Sequence, residues 1–315
     1  MKIAITGATG FIGRLLVEKH LALGDDVHIL TRRPKSGLGF GEKVNFHFGD
    51  LSDVEALRSL VENTDVLYHC AAEIREESLM KAVNVTGTEN LIKQASGNVK
   101  HWVQLSSVGV YGPIFSGTVT ENQPYNPVNE YEITKLESDL RVIDASNSGA
   151  FTYTIVRPSN VIGSSMRNAS LFALMHSIEK GIYFYIGQKG ASANYVAVEN
   201  VIEALYLSGM HPKAKNHIFN ISDWYTLEAF IGNIAEKLQK PTPKLRFPKA
   251  LMLFAAKILS IVPNNPLTVS RVKALSGRAV YPNTKIEREL GYHTVVTVDQ
   301  AIQNLTAFYK NKQHV

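Results

Sequence analysis

Thr6-Gly7-Ala8-Thr9-Gly10-Phe11-Ile12-Gly13 stands between a short β-branched run at 3–6 and a helical pattern that Gly24 should end. Three glycines spaced Gly-x-x-Gly-x-x-Gly take the side-chain bulk out of a strand-to-helix turn and let another group approach its backbone. The open N–H groups and the dipole of the helix then face that group, which suits an anion such as the pyrophosphate of a dinucleotide. A glycine trio alone is equally an ordinary tight turn. Its place at the start of a strand-helix-strand unit is what makes Gly7, Thr9, Gly10, Phe11, Ile12 and Gly13 candidate cofactor contacts.

Outward from that turn, runs at 27–30, 44–48, 66–71, 99–105 and 153–156 read as further strands, with helical patterns between them. Ser52 with Glu55 matches a capping box, and Thr297 with Gln300 matches another that would open the last helix. Strands alternating with helices imply an α/β fold, a doubly wound parallel sheet of the Rossmann type with right-handed crossovers. After Pro158 the pattern loosens, and the last hundred residues read as mostly helical with proline punctuation. The expected division is a dinucleotide-binding domain of residues 1–165 with 192–224, and a smaller, mostly helical substrate domain of 166–191 with 225–315.

The 315 residues, 45% apolar and 19% charged, suit an enzyme-sized soluble body. A net charge of +5 from 33 basic and 28 acidic residues is too small and too dispersed to indicate nucleic acid. One cysteine, Cys70, excludes an internal disulfide, and the ten histidines lack metal spacing. His69, His101 and His176 read as structural. With no signal-peptide pattern and no run of apolar residues long enough to span a bilayer, a cytoplasmic location is expected.

Cofactor choice is made at the end of the second strand, where a carboxylate would hold the ribose hydroxyls of NAD. The residues there are Thr31-Arg32-Arg33, so NADP is preferred and NAD remains possible, since a guanidinium suits a 2′-phosphate. The alternative is a solvated basic corner. In Gly49-Asp50-Leu51, Asp50 could accept from the adenine amino group or simply serve the turn before the next helix.

Tyr131 and Lys135 stand at i and i+4 in a helical stretch and share a face. An ammonium beside a phenol should favour phenolate and bring a pKa near 10 toward the working range of a proton shuttle. Ser106 and Ser107 end the fifth strand, on the sheet edge where ligands bind, so a hydroxyl there can orient a carbonyl oxygen.

With these features the sequence resembles the extended short-chain dehydrogenases/reductases, also called the NAD-dependent epimerase/dehydratase family, from Lys2 to about Leu305. The resemblance rests on the glycine turn at 6–13, Gly-Asp-Leu at 49–51, His-Cys-Ala-Ala at 69–72 and Asn-Val-Thr-Gly-Thr-Glu-Asn-Leu at 84–91. It continues through Ser-Ser-Val-Gly-Val-Tyr-Gly at 106–112, Tyr-Glu-Ile-Thr-Lys at 131–135, Arg-Pro-Ser-Asn-Val-Ile-Gly at 157–163 and Arg-Glu-Leu-Gly-Tyr at 288–292.

The resemblance implies that Ser107 is the catalytic serine, that Tyr131 is the acid/base, and that Lys135 holds the nicotinamide ribose and tunes the tyrosine. It further implies cofactor contacts from Leu51, Ala71, Ala72 and Pro158, with Ser159 passing near the nicotinamide, support of the active-site helix by Asn84, and a homodimer formed through helices near Asn84 and Tyr131. Asn160 and Asn168 join Ser107 and Tyr131 as candidate substrate contacts, and Cys70 reads as a buried, inert thiol.

Where dehydratases of the family place an Asp-Glu pair, this chain has Val108-Gly109, which disfavours a 4,6-dehydratase. Where sugar-nucleotide members carry an arginine for the diphosphate, it has Ala193-Asn194, with Arg167 or Arg278 as substitutes. The leading expectation is a C4 epimerase or 4-ketoreductase acting on a nucleotide sugar. Its rivals are an NADPH-dependent ketone reductase resembling 3β-hydroxysteroid dehydrogenase or dihydroflavonol reductase, and a non-catalytic NADP-binding sensor. The basic stretch 237–249, followed by apolar 250–259, could rest on an anionic membrane, but a helix packed on the substrate domain is favoured because so many apolar residues need burial.

Overall fold

A computed structural model describes residues 1–164, 166, 169–259 and 267–313. The first half runs β1 (Lys2–Thr6), α1 (Phe11–Ala22), β2 (Asp26–Thr31), β3 (Val44–Phe48), α2 (Val54–Val61), β4 (Thr64–His69), α3 (Glu77–Met80), α4 (Gly87–Ala95), β5 (Val99–Leu105), β6 (Ser116–Thr118), α5 (Glu130–Asn147) and β7 (Thr152–Pro158). The second half runs β8 (Asn160–Ile162), α6 (Ala169–Glu179), β9 (Tyr185–Ile186), β10 (Ser192–Ala197), α7 (Val198–Met210), β11 (His217–Ile221), β12 (Asp223–Thr226), α8 (Leu227–Lys237), β13 (Arg246–Phe247), α9 (Lys249–Ile258), α10 (Val269–Leu275), β14 (Arg278–Val280), α11 (Thr284–Leu290) and α12 (Val298–Gln313).

Seven strands form one wholly parallel sheet in the order β3-β2-β1-β4-β5-β7-β11. The chain winds outward from β1 in one direction and then restarts at β4 on its other side, so the switch point lies between β1 and β4. Burial on both faces explains the apolar strands. Ile3, Ile5 and Ile29 pack with Leu16, Val17, Val201 and Leu205 of α1 and α7 on one face. On the other, Ala4, Leu67 and Trp102 pack with Leu57, Leu91 and Val142 of α2, α4 and α5.

Two cap expectations had different outcomes. α2 opens on Asp53, whose carboxylate accepts the Ala56 N–H at 3.1 Å, and not on the Ser52–Glu55 box. Ser52 is occupied one step earlier, donating its N–H and hydroxyl to Asp50 at 2.8 and 2.6 Å. The Thr297–Gln300 box does form before α12, with reciprocal bonds of 3.0 and 3.3 Å.

Beyond the sheet, α6, α8 and α12 enclose a second core around Leu171, Met175, Phe230, Ile234 and Leu305. A small satellite joins β9, α9 and α10 through Ile186, Met252, Ala256 and Val272. The expectation that α9 buries its apolar residues holds on this inner face only, for Leu251, Phe254 and Ile258 are exposed. Among the described residues no helix is long and apolar enough to cross a membrane.

Candidate active site

The glycine turn leaves β1 beside the switch point. Gly7 has φ +69°, and a Cβ there would stand 2.6 Å from both the Cys70 carbonyl carbon and the Ala71 nitrogen. A Cβ on Gly10 would come within 3.1 Å of the Gly7 carbonyl oxygen, and one on Gly13 would run into the same group. The tight turn thus brings α1 against the end of β4. Gly10 caps α1 with no side-chain hydrogen bond and no carboxylate lies in the first turn, which leaves the helix N-terminus suited to an anion. The cradle fits a dinucleotide pyrophosphate. The Phe11 ring reaches Gly163, where a Cβ would lie 2.9 Å from it.

Arg32 and Arg33 are exposed at the end of β2. Asp50, at the end of β3, is held below the usual carboxylate range by the two Ser52 bonds, with the Arg32 charge adding to them. Its turn role is therefore realised. Leu51 is buried, accepts Asn90 Nδ2 on its carbonyl at 3.0 Å and packs against Gly87.

At the end of β4, Thr6 Oγ1 bonds His69 Nδ1 at 2.6 Å and accepts the Ala71 N–H at 3.3 Å, locking the strand tips together. His69 is buried between Thr6 and Thr88, and burial lowers its pKa to about 3. Burial likewise pushes the Cys70 thiol up to about 12, which makes it a poor nucleophile.

α5 opens on Asn129, whose side chain accepts the Glu132 N–H at 3.0 Å. This fixes Tyr131 in the first turn and aligns Tyr131, Lys135 and Asp139 along one face. Tyr131 is half-buried, and the Ser107 hydroxyl on its side favours the phenolate form. Ser107 follows β5 and also accepts the Gly109 N–H at 3.1 Å. A Cβ on Gly109 would stand 3.1 Å from Glu132 and 3.3 Å from the Ser107 hydroxyl, so this corner has little room for a larger residue.

Lys135 is buried and donates to the Leu105 carbonyl at 2.6 Å. The structure therefore brings Ser107, Tyr131 and Lys135 together at the carboxyl end of β5. It corrects one expectation: burial raises the Tyr131 pKa, against the lowering influence of Ser107, so the free phenol keeps its proton. Burial also lowers that of Lys135, with Asp139 opposing the shift.

Sequence reading missed the support beneath this set. Asp139 Oδ2 accepts the Ser106 hydroxyl at 2.7 Å, Arg157 Nη2 at 3.0 Å and Arg157 Nε at 3.3 Å, and both charges are fully buried. Arg157 also donates to the Tyr111 hydroxyl at 3.0 Å, which in turn donates to Asn220 at 2.9 Å. The position of Asp139 one helical turn after Lys135 was the available signal. Asn84 lies in a π-helical stretch, Lys81–Thr86, between α3 and α4. It donates to the Glu73 carbonyl at 3.0 Å and Thr134 Oγ1 at 3.1 Å, tying this segment to α5.

Pro158 ends β7 and Ala72 follows β4, both at the ligand edge of the sheet. Asn160 is exposed and donates to the Asn194 carbonyl at 3.1 Å, while Asn194 donates to the Ala279 carbonyl at 2.9 Å. Asn168 and Arg167 lie outside the described residues. Arg278 is exposed and donates to the Lys189 carbonyl at 2.8 Å. His101 is a core residue bonded to Thr152 and Ser208, and His176 is exposed near Glu179. No metal-binding cluster occurs among the described residues.

Residues 3–222 match the model of the NAD dependent epimerase/dehydratase family. The chain belongs to that family. As a member it is an NAD(P)-dependent enzyme of the short-chain dehydrogenase/reductase type. UDP-glucose 4-epimerase of Vibrio cholerae is 30% identical over 264 residues, 78% of each chain. Sterol-4-alpha-carboxylate 3-dehydrogenase, decarboxylating, of Mus musculus is 27% identical over 335 residues, 96% of this chain and 89% of that one. The solved UDP-glucose 4-epimerase of Thermotoga maritima, with UDP-glucose, superposes with a TM-score of 0.75 at 19% identity over 99% of this chain and 100% of that one. At that identity the likeness establishes the fold.

Proposed function

We propose that this family member epimerises a nucleotide sugar at C4, with Tyr131 as the acid/base, Ser107 orienting the reacting oxygen and Lys135 holding the nicotinamide ribose. The observation that carries this reading is the Ser107–Tyr131–Lys135 group at the carboxyl end of β5, beside the glycine turn. The nicotinamide, when bound, would accept and return a hydride. The Gly7–Gly13 turn would take the pyrophosphate at the start of α1, Leu51, Ala71, Ala72 and Pro158 would flank the dinucleotide, and Asp50 would meet the adenine edge. Arg32, exposed at the tip of β2, favours NADP over NAD through a 2′-phosphate.

Tyr131 holds its proton in the free chain, so it is ready to donate to a carbonyl oxygen; oxidation requires that proton to leave first. Desolvation is the main obstacle to phenolate. Lys135 turning from the Leu105 carbonyl toward a bound ribose would bring its ammonium to the phenol and relieve that obstacle. Asn160 and Asn168 belong to the substrate side of this reading, and a homodimer through α4 and α5 belongs to its assembly.

A second reading, an NADPH-consuming reductase of an apolar ketone, is favoured by Asn194. That side chain is bonded to Ala279 where a cation for a diphosphate was expected. One experiment separates the two. Purified enzyme with UDP-glucose and a trace of cofactor should form the C4 epimer with no net NADPH change. Stoichiometric NADPH loss with a steroid ketone, and no epimer from any UDP-sugar, would overturn the epimerase reading and support the reductase.

A further inference from the structure

Between Glu236 and Glu287 the chain carries ten Lys and Arg residues and no carboxylate, while the rest of it holds 23 basic residues against all 28 acidic ones. The basic excess is thus confined to the segment that contains α9. That helix buries Met252 and Ala256 against Val272 and Ile186. Its opposite side presents Leu251, Phe254 and Ile258 at i, i+3 and i+7, with 52%, 64% and 54% of their surfaces exposed. The β13–β9 pair, joined by the Tyr185 N–H to the Leu245 carbonyl at 2.9 Å, sets two more exposed apolar residues, Leu245 and Ile182, at one end. Lys240, Lys244 and Lys249 are exposed in the approach to the helix. Arg246, by contrast, is committed to Glu228.

We propose that this face of α9 docks on the surface of an anionic phospholipid bilayer, with Leu251, Phe254 and Ile258 entering the headgroup boundary and Lys244, next to the exposed Leu245, meeting a lipid phosphate. A short helix with large apolar residues outward, entered by an exposed basic stretch, has physical attributes of an interfacial anchor. A second copy of the chain fits less well, because a two-fold contact would set the basic approach to the helix against itself. The proposal concerns where the enzyme sits and stands apart from which substrate it uses.

The test is cosedimentation of the full chain with vesicles of phosphatidylcholine, with and without phosphatidylglycerol. Binding is expected only to the anionic vesicles and should weaken as salt rises. Phe254→Ser with Ile258→Ser should cut that binding at least about tenfold through lost apolar burial. Lys244→Glu should cut it at least about fivefold. NADPH binding and thermal unfolding, unchanged in both variants, show that the fold persists, and Lys244→Glu stands as the second variant should the apolar pair misfold. No cosedimentation of the wild type, equal binding to pure phosphatidylcholine, or retained binding in the folded variants overturns the proposal. So does a concentration-dependent dimer that the Phe254 and Ile258 changes dissolve.

Discussion

Asp139→Asn is the substitution whose consequences the structure specifies most fully. The side chain keeps its shape and an oxygen that can still accept the Ser106 hydroxyl, so what it loses is the negative charge facing Arg157 Nη2 at 3.0 Å and Nε at 3.3 Å. Neither partner has any exposed side-chain surface, so no water can replace the carboxylate. An uncompensated buried guanidinium costs about 3–5 kcal/mol of folding free energy. Arg157→Met should cost a similar amount, whereas the double variant, with no charge to strand, should recover at least about 2 kcal/mol of the summed losses. Urea unfolding at constant pH, analysed as a double-mutant cycle, reads these quantities. A second readout tests the link to the site. Asp139 opposes the burial that lowers the Lys135 pKa, so Asp139→Asn should move the alkaline limb of kcat/KM toward neutral pH. If Asp139→Asn costs less than about 1 kcal/mol and leaves that limb in place, the network is not the support described.

Gly7→Ala should destabilise the fold by more than about 2 kcal/mol, because it places a side chain at φ +69° against the Cys70–Ala71 backbone, and should abolish NADPH binding measured by fluorescence titration. Arg32→Ala should raise the Kd for NADPH about tenfold or more and leave that for NADH nearly unchanged, as paired titrations would show. Acid should unfold the protein early through its histidines. His69 and His101 have folded pKa values of about 3 and about 4, below the ordinary 6.5, so the unfolded chain binds their protons first and stability falls as pH drops below about 6.5. Each contributes up to about 2 kcal/mol of loss between pH 7 and 5, and His101→Asn should flatten that part of a stability-pH curve.

The sheet was legible because each strand is a run of β-branched and other apolar residues buried on both faces, and because the glycine trio has few uses other than a tight strand-to-helix turn. Tyr131 and Lys135 were legible because helical spacing alone puts them on one face. The direction of the Tyr131 shift was not, since it depends on how deeply the phenol is packed, which no spacing reports. Asp139 and Arg157 escaped notice because their pairing joins α5 to β7 through the fold. The α2 cap was misassigned because Ser52 and Asp53 are both good capping residues and only the Asp50 turn decides between them. In α9 the apolar residues surround too much of the helix for periodicity to say which side faces inward.

The proposed reaction depends most on the Tyr131 hydroxyl moving a proton as hydride moves. The direct measurement is the single-turnover rate of nicotinamide reduction or oxidation in Tyr131→Phe, with the substrate that the wild type turns over and with the cofactor Kd measured alongside. A rate lower by about a hundredfold to ten-thousandfold at unchanged cofactor affinity is expected. A wild-type rate in the folded variant would contradict that role for Tyr131.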